Sequence, residues 1–165
     1  VEKRKNKRVI LVIGISGSGK STTGKAISTE LGIPFLDADD FHPRENVTKM
    51  SRGVALTDED RWPWLAAISE FILQNHRNEF VLACSALKES YRKYLGQRLD
   101  LEIVYLKIER DSAEKRISAR KGHFMPKDLV SSQLETLEEP DYGIIVSSDL
   151  PTNDQLELIL PSFKK

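Results

Sequence analysis

The chain has one cysteine, Cys84, in 165 residues, which excludes an intramolecular disulfide framework and any multi-cysteine zinc site. Its three histidines, His42, His76 and His123, lack metal-ligand spacing, so a histidine zinc site is not expected. No charge of one sign dominates: 25 Lys and Arg stand against 25 Asp and Glu, a formal net charge of zero. That balance argues against a general nucleic-acid binder and against an anionic-membrane binder. Long apolar runs are missing too. The longest aliphatic run, residues 9–13, stops at Gly14, far short of the ~20 residues needed to span a bilayer. Nor is there a repeat, a low-complexity segment or a linker long enough to separate two domains. A single domain, 1–165, is expected, of a size that buries roughly 70% of its unfolded-chain surface.

What is present begins with a basic tail, residues 1–7, followed by alternation. VEKRKNKR reads as a solvated lead-in, because the apolar stretch after it is too short for a signal peptide and lacks a small-residue cleavage site. The expected compartment is the cytoplasm. Residues 8–14 (RVILVIG) are near-continuously apolar, the pattern of a parallel strand buried on both faces. Further strands are expected at 33–37, 80–85, 101–106 and 144–147, and helices at 21–31, 44–51, 61–76, 88–97, 111–121, 126–138 and 152–160. Gly32 stands where a helix C′ residue belongs, Thr57 or Asp58 can cap the third helix, and Asp111 is a natural N-cap. Pro63 is tolerated only near a helix's first turn. Strands alternating with helices imply an α/β fold with a parallel sheet, whose ligands sit beyond the carboxyl ends of the strands.

Gly14-Ile-Ser-Gly-Ser-Gly-Lys20-Ser21 fills every position of G-x-x-x-x-G-K-[ST] between a strand and a helix. Gly14, Gly17 and Gly19 let the backbone fold into a nest of N–H donors around a triphosphate. Lys20 is expected to reach the β- and γ-phosphates and the Ser21 hydroxyl to ligate Mg2+. Little room remains for a motor, and no N-K-x-D guanine-reading motif appears, so a small kinase is favoured over a GTPase switch.

The second strand runs into Asp37-Ala-Asp39-Asp40-Phe-His42-Pro43-Arg44. Asp37 and Asp39 are expected to alternate on one strand face beside the phosphate loop. One carboxylate can help hold Mg2+ while the other takes the proton of an attacking hydroxyl; the competing reading is that they cap the following turn. Farther on, Arg61 is the expected anion ligand, while Trp62 and Trp64 read as packing residues. Lys88, Tyr91 and Arg92 are spaced to share one helix face near an acceptor pocket. Cys84 ends a buried strand and reads as a small core residue. Arg116 and Arg120 also share a face, from which they would fold over a nucleotide with Gly122 as hinge; the alternative is a basic helix C-terminus complementing its dipole.

Taken together, GISGSGKST, DADDFHPRENVTKMSRGVALTDEDRWPWL, CSALKESYR, ARKGHF and SSQLETLEEP resemble the gluconokinase family, small P-loop kinases that phosphorylate D-gluconate on its 6-hydroxyl with ATP. Ala38 stands where the family usually has Gly. The resemblance implies a P-loop NTPase of the nucleoside-monophosphate-kinase-like type: a five-stranded parallel sheet flanked by helices, with a mobile lid at about 116–137, usually as a homodimer. It places ATP on Gly14, Ile15, Ser16, Gly17, Ser18, Gly19, Lys20, Ser21 and Thr22 with Arg116 and Arg120, and Mg2+ on Ser21 and Asp37. His42, Arg44, Arg61, Lys88 and Arg92 are the implied gluconate ligands, and Asp39 the base, with Asp37 as the alternative. No nucleic-acid or membrane partner is implied. The rivals are another small P-loop kinase, acting on shikimate or adenylylsulfate, and a nucleotide-dependent binding protein with little turnover.

Overall fold

A computed structural model describes residues 7–119 and 127–164. The strands are β1 Arg8–Ile13, β2 Phe35–Asp37, β3 Glu79–Ala83, β4 Asp100–Lys107 and β5 Ile144–Ser147. The helices are α1 Lys20–Leu31, α2 Arg44–Ser51, α3 Asp58–Gln74, α4 Glu89–Gly96, α5 Arg110–Ala119, α6 Lys127–Thr136 and α7 Thr152–Ile159. All five strands are parallel, in the order β2-β3-β1-β4-β5. The expected α/β architecture, a five-stranded parallel sheet flanked by helices, is what forms.

The unbroken apolar run explains why β1 is central. Its odd residues, Val9, Leu11 and Ile13, are wholly buried with Trp64, Leu65, Ile68 and Ile72 of α3 and with Tyr91 and Leu95 of α4. Its even residues, Ile10 and Val12, pack with Ile27 of α1 and with Leu156 and Ile159 of α7. Because side chains alternate along a strand, only a run apolar at every position can serve both cores. Each such side chain contributes about 1.5–3 kcal/mol relative to exposure.

A third apolar cluster matters more for function. Ile15 of the phosphate loop, Leu87, Ile108, Ala113 of α5 and Val130 of α6 are buried together. It ties the α5–α6 pair to the loop that follows β1. Register sets the rest: Asp37 pairs with Ala83, and Ala83 with Val12, so the end of β2 and the start of the phosphate loop share one edge of the sheet.

Four expectations need correction. β2 begins at Phe35 and stops at Asp37, so Asp39 is not on the strand but in a 3-10 turn, Ala38–Phe41. The reason is local: the Asp37 carboxylate accepts the Asp39 N–H at 3.0 Å and turns the chain there. α3 starts at Asp58, three residues earlier than expected, under a capping box of Thr57 and Asp60. Pro63 is therefore its sixth residue, past the first turn. Asp111 lies inside the first turn of α5, where a carboxylate complements the dipole without capping. β3 ends at Ala83, one residue before Cys84, whose N–H still donates to Val12 O at 3.0 Å. Among the described residues, no helix is long and apolar enough to cross a membrane.

Candidate active site

Two glycines of the phosphate loop are required for different reasons. A Cβ on Gly14 would lie 2.6 Å from Ser18 Oγ and 3.0 Å from Leu106 O, so the close packing of the loop against β4 forbids one. A Cβ on Gly19 would meet nothing nearer than Arg116 at 3.9 Å; there it is the backbone, at φ 90°, that excludes other residues. Gly19 caps α1 without a side-chain bond, and no acidic residue occupies the first turn. Its amide donors and positive dipole end are thus left to an anion. Ser18 Oγ is buried with no hydrogen-bond partner among the described residues, a further donor suited to a phosphate oxygen. The loop fits a polyphosphate.

Lys20 opens α1, and its Nζ donates to Ile15 O at 3.1 Å. Beside it the Ser21 hydroxyl donates to Asp37 Oδ2 at 3.0 Å. A hydroxyl and a carboxylate oxygen are hard donors of the kind Mg2+ takes, one or two at a time, with phosphate and water completing the shell. The Asp37 carboxylate is thereby committed on both oxygens, to Ser21 and to the Asp39 N–H.

Lys20, Asp39, His42, Arg61 and Trp64 line one cleft with Ser16, closed by Ser85 and by Ser132 and Gln133 of α6. His42 stacks on Trp64 at a 4.1 Å centroid distance, and Trp64 Nε1 donates to Ala38 O at 2.7 Å. Ala38 takes the family's usual glycine position with no positive φ; Ala86 is the one described non-glycine residue that has one. Asn46 orients the imidazole. Its Nδ2 donates to Asp60 O at 2.9 Å and lies 3.2 Å from His42 Nδ1. A carbonyl only accepts, so the NH2 end must face both, which makes Nδ1 the acceptor and leaves the proton on Nε2. Burial chiefly, and then the charge of Arg61, lowers the His42 pKa to about 4 against the weaker opposing pull of Asp37. The ring is a neutral N–H donor, 3.9 Å from Asp39 Oδ1.

The expected cations separate. Arg61 faces the cleft while its NH1 donates to Leu56 O at 2.9 Å and Tyr91 Oη at 3.0 Å. Lys88 stays outside the lining, because its Nζ is held by Asp58 Oδ1 at 3.0 Å, and the Tyr91 hydroxyl donates to that same oxygen. Those two bonds hold the Asp58 carboxyl below its usual range. Arg44 heads α2 and is exposed, also outside the lining. Arg116 lies against the phosphate loop, its NH1 donating to Gly17 O at 3.0 Å and Ser148 Oγ at 2.7 Å. Arg120 and Gly122 lie outside the described residues. Cys84 is fully enclosed, and burial pushes its thiol up to about 12, the state of an inert core residue.

Arg92 requires correction. It is 3% exposed and does not share a working face with Lys88 and Tyr91. Its NH1 donates to Ala86 O at 2.8 Å, its NH2 to Glu138 O at 2.7 Å and its Nε to Glu89 Oε1 at 3.1 Å. These bonds pin Ala86, held at φ 40°, and the chain just after α6. With every arm of the fork engaged, Arg92 is a strut. Arg92→Ala is therefore expected to lower stability by roughly 2–4 kcal/mol in urea unfolding, since the buried Ala86 carbonyl and the part-buried Glu138 carbonyl lose a donor. The KM of the remaining folded enzyme for its acceptor should move less than about twofold. A large KM effect without stability loss would return Arg92 to the pocket.

Sequence reasoning missed Asn46, Gln133, Ser148 and Gln155. Asn46 and Gln133 lay within quoted segments, but neutral amides carry no charge pattern to announce them. Gln155, buried on α7, accepts from Thr23 Oγ1 at 2.6 Å, and Ser148 Oγ donates to Ser18 O at 2.5 Å. Ser148, just past β5, braces the phosphate loop, and Gln155 of α7 braces α1.

The sequence pattern of the shikimate kinase family matches residues 16–149. The chain is 44% identical over 136 residues to a gluconokinase of Gluconobacter oxydans, covering 81% of this chain and 76% of that one. With the thermoresistant gluconokinase of Escherichia coli it shares 37% identity over 164 residues, 95% of this chain and 94% of that one. A crystal structure of a gluconokinase from Sinorhizobium meliloti superposes with a TM-score of 0.82 at 43% identity, covering 93% of this chain and 89% of that one. Likeness that runs almost end to end reflects common descent: within the wider shikimate-kinase-like group, this chain belongs to the gluconokinase family.

Proposed function

We propose that the protein is a gluconokinase that moves the γ-phosphoryl group of ATP to the 6-hydroxyl of D-gluconate. The observation that carries this reading is the single cleft that joins Lys20 of the phosphate loop to Asp39, His42 and Arg61. Asp39 takes the proton of the 6-hydroxyl as O6 attacks the γ-phosphorus, the bond to the bridging oxygen breaks, and ADP leaves. Asp39 fits the base better than Asp37 because it lines the cleft with Lys20, whereas Asp37 stands beside Ser21 outside the lining. His42 donates its Nε2 proton to a substrate hydroxyl, and Arg61 answers the gluconate carboxylate with a forked cation. Ser21 and Asp37 hold Mg2+, which neutralises phosphate charge when bound. Arg116 steadies the nucleotide side of the loop. Residues 116–137, including Arg120, act as the lid, and by resemblance the enzyme works as a cytoplasmic homodimer.

The test is a panel of acceptors with enzyme and Mg-ATP, read by mass spectrometry. D-gluconate should gain one phosphoryl group, while D-glucose and shikimate should not. Glucose lacks the carboxylate that Arg61 needs, and a desolvated unpaired cation costs several kcal/mol. Shikimate has the acid, but its ring cannot extend a terminal hydroxyl to Asp39 from the same anchor. Product from shikimate alone would keep the kinase and overturn the acceptor.

A further inference from the structure

What holds Arg61 sets it apart from the cations around it. Lys49 is paired with Asp60, Lys88 with Asp58, Arg92 with Glu89 and Arg116 with Asp149. Arg61 lines the cleft and forms no ion pair with a described residue. Its NH1 donates instead to two neutral oxygens, Leu56 O at 2.9 Å and Tyr91 Oη at 3.0 Å. A guanidinium can only donate, so the phenol oxygen accepts that bond and its own proton has to point elsewhere. It goes to Asp58 Oδ1, which also takes Lys88 Nζ at 3.0 Å. The donors therefore run one way, from Arg61 through Tyr91 to a carboxylate that a lysine already balances. Tyr91 is wholly buried in the core that holds Leu65, Ile68 and Leu95, and Trp62 meets its ring edge-on at a 5.5 Å centroid distance. Burial chiefly, and then the bond to Asp58, push its hydroxyl up to about 12, so it stays a neutral phenol.

We propose that Tyr91 is a positioning residue for acceptor binding: its hydroxyl fixes the Arg61 guanidinium at the cleft and leaves that cation's charge for the carboxylate of the acceptor. The inference rests on the gluconate reading and deepens it. A carboxylate in place of the phenol would orient Arg61 equally well, but it would also neutralise it, and an incoming acid would have to compete. A neutral oxygen orients without that competition. An arginine side chain is rich in rotamers, and one left unanchored has to be ordered when the acid binds, at a cost in affinity. Two bonds at NH1 order it beforehand. Asp58, one bond farther out, keeps the phenol oxygen turned to accept. Lys88, outside the cleft lining, balances Asp58 and so serves acceptor recognition without touching the acceptor.

The full-length enzyme with Tyr91→Phe, Arg61→Ala and the two together tests this as a double-mutant cycle. Phenylalanine keeps the ring and its contact with Trp62 and loses only the hydroxyl. Wild type is first assayed on gluconate. Tyr91→Phe should then raise the KM for gluconate about threefold or more, with kcat and the KM for ATP within about twofold of wild type. In the Arg61→Ala background the same change should alter kcat/KM for gluconate by less than about twofold, because the group it positions is gone. A smaller rise in the gluconate KM overturns the proposal, and so does a KM for ATP that rises as far. A larger effect of Tyr91→Phe in the absence of Arg61 overturns it too. If Tyr91→Phe does not fold, Asp58→Ala decides in the same cycle. It lets the phenol turn its proton toward Arg61, so the same selective rise is expected, again lost without Arg61. If wild type phosphorylates another acid instead, the proposed function fails, and the same cycle on that acid decides for Tyr91.

Discussion

Lys20→Met is expected to lower kcat on the order of a thousandfold, with the fold and its thermal midpoint nearly unchanged. The lysine stands at the head of α1, next to amide donors and without an acidic neighbour in that turn. Its charge acts on oxygens whose charge changes as the phosphoryl group passes, so its loss strikes the transition state more than the ground state. Methionine keeps the length and most of the packing of the stem and gives up the ammonium's interactions, the partly buried 3.1 Å bond to Ile15 O among them. A coupled assay for ADP, run beside a melting curve, checks both halves. Near-normal kcat would remove the phosphate-loop mechanism.

Asp39→Asn comes next in size, with kcat falling roughly 10²–10⁴-fold, the usual worth of a positioned base. Asn preserves the shape of the residue and leaves untouched the Asp37 carboxylate that accepts its N–H and turns the chain there. The neighbouring change, Asp37→Asn, should behave differently. It removes the carboxylate beside Ser21, so more Mg2+ should be needed for half-maximal rate, and kcat should recover partly at high Mg2+. Titrating Mg2+ against kcat in both variants separates the roles. Rescue of Asp39→Asn by Mg2+, with none for Asp37→Asn, would exchange the two assignments.

Legibility in the sequence followed the physics of each signal. β1 and α1 could be read almost to the residue, because an apolar run and a glycine-rich loop are local patterns that tertiary context does not alter. β2 was blurred, since Asp37 stops it through a side-chain bond two residues ahead. α3 began early because a capping box fixes a helix start more strongly than one proline shifts it. At the site, charged residues announced themselves but their partners did not. The i, i+4 spacing put Lys88 and Arg92 on one face of α4. It could not show that Asp58 from α3 holds the first, or that carbonyls from two other segments hold the second. Asp58 and Glu138 are 30 and 46 residues away along the chain from the cations they hold.

The pairing of cations around the cleft bears on what happens after transfer. Lys88 is matched by Asp58, Lys49 by Asp60, Arg92 by Glu89 and Arg116 by Asp149. A phosphorylated product departs with about 1.5 to 2 more negative charges than its precursor carried in. A wall of unmatched lysines and arginines would hold it strongly, and its escape would limit turnover. Here the cations beyond the cleft are already matched by carboxylates, and among the described lining residues only Lys20 and Arg61 are cations, with Asp39 beside them. On the proposed transfer, the product would leave against the pull of two lining cations and with the push of one carboxylate, so release would not have to break a wall of unmatched charge.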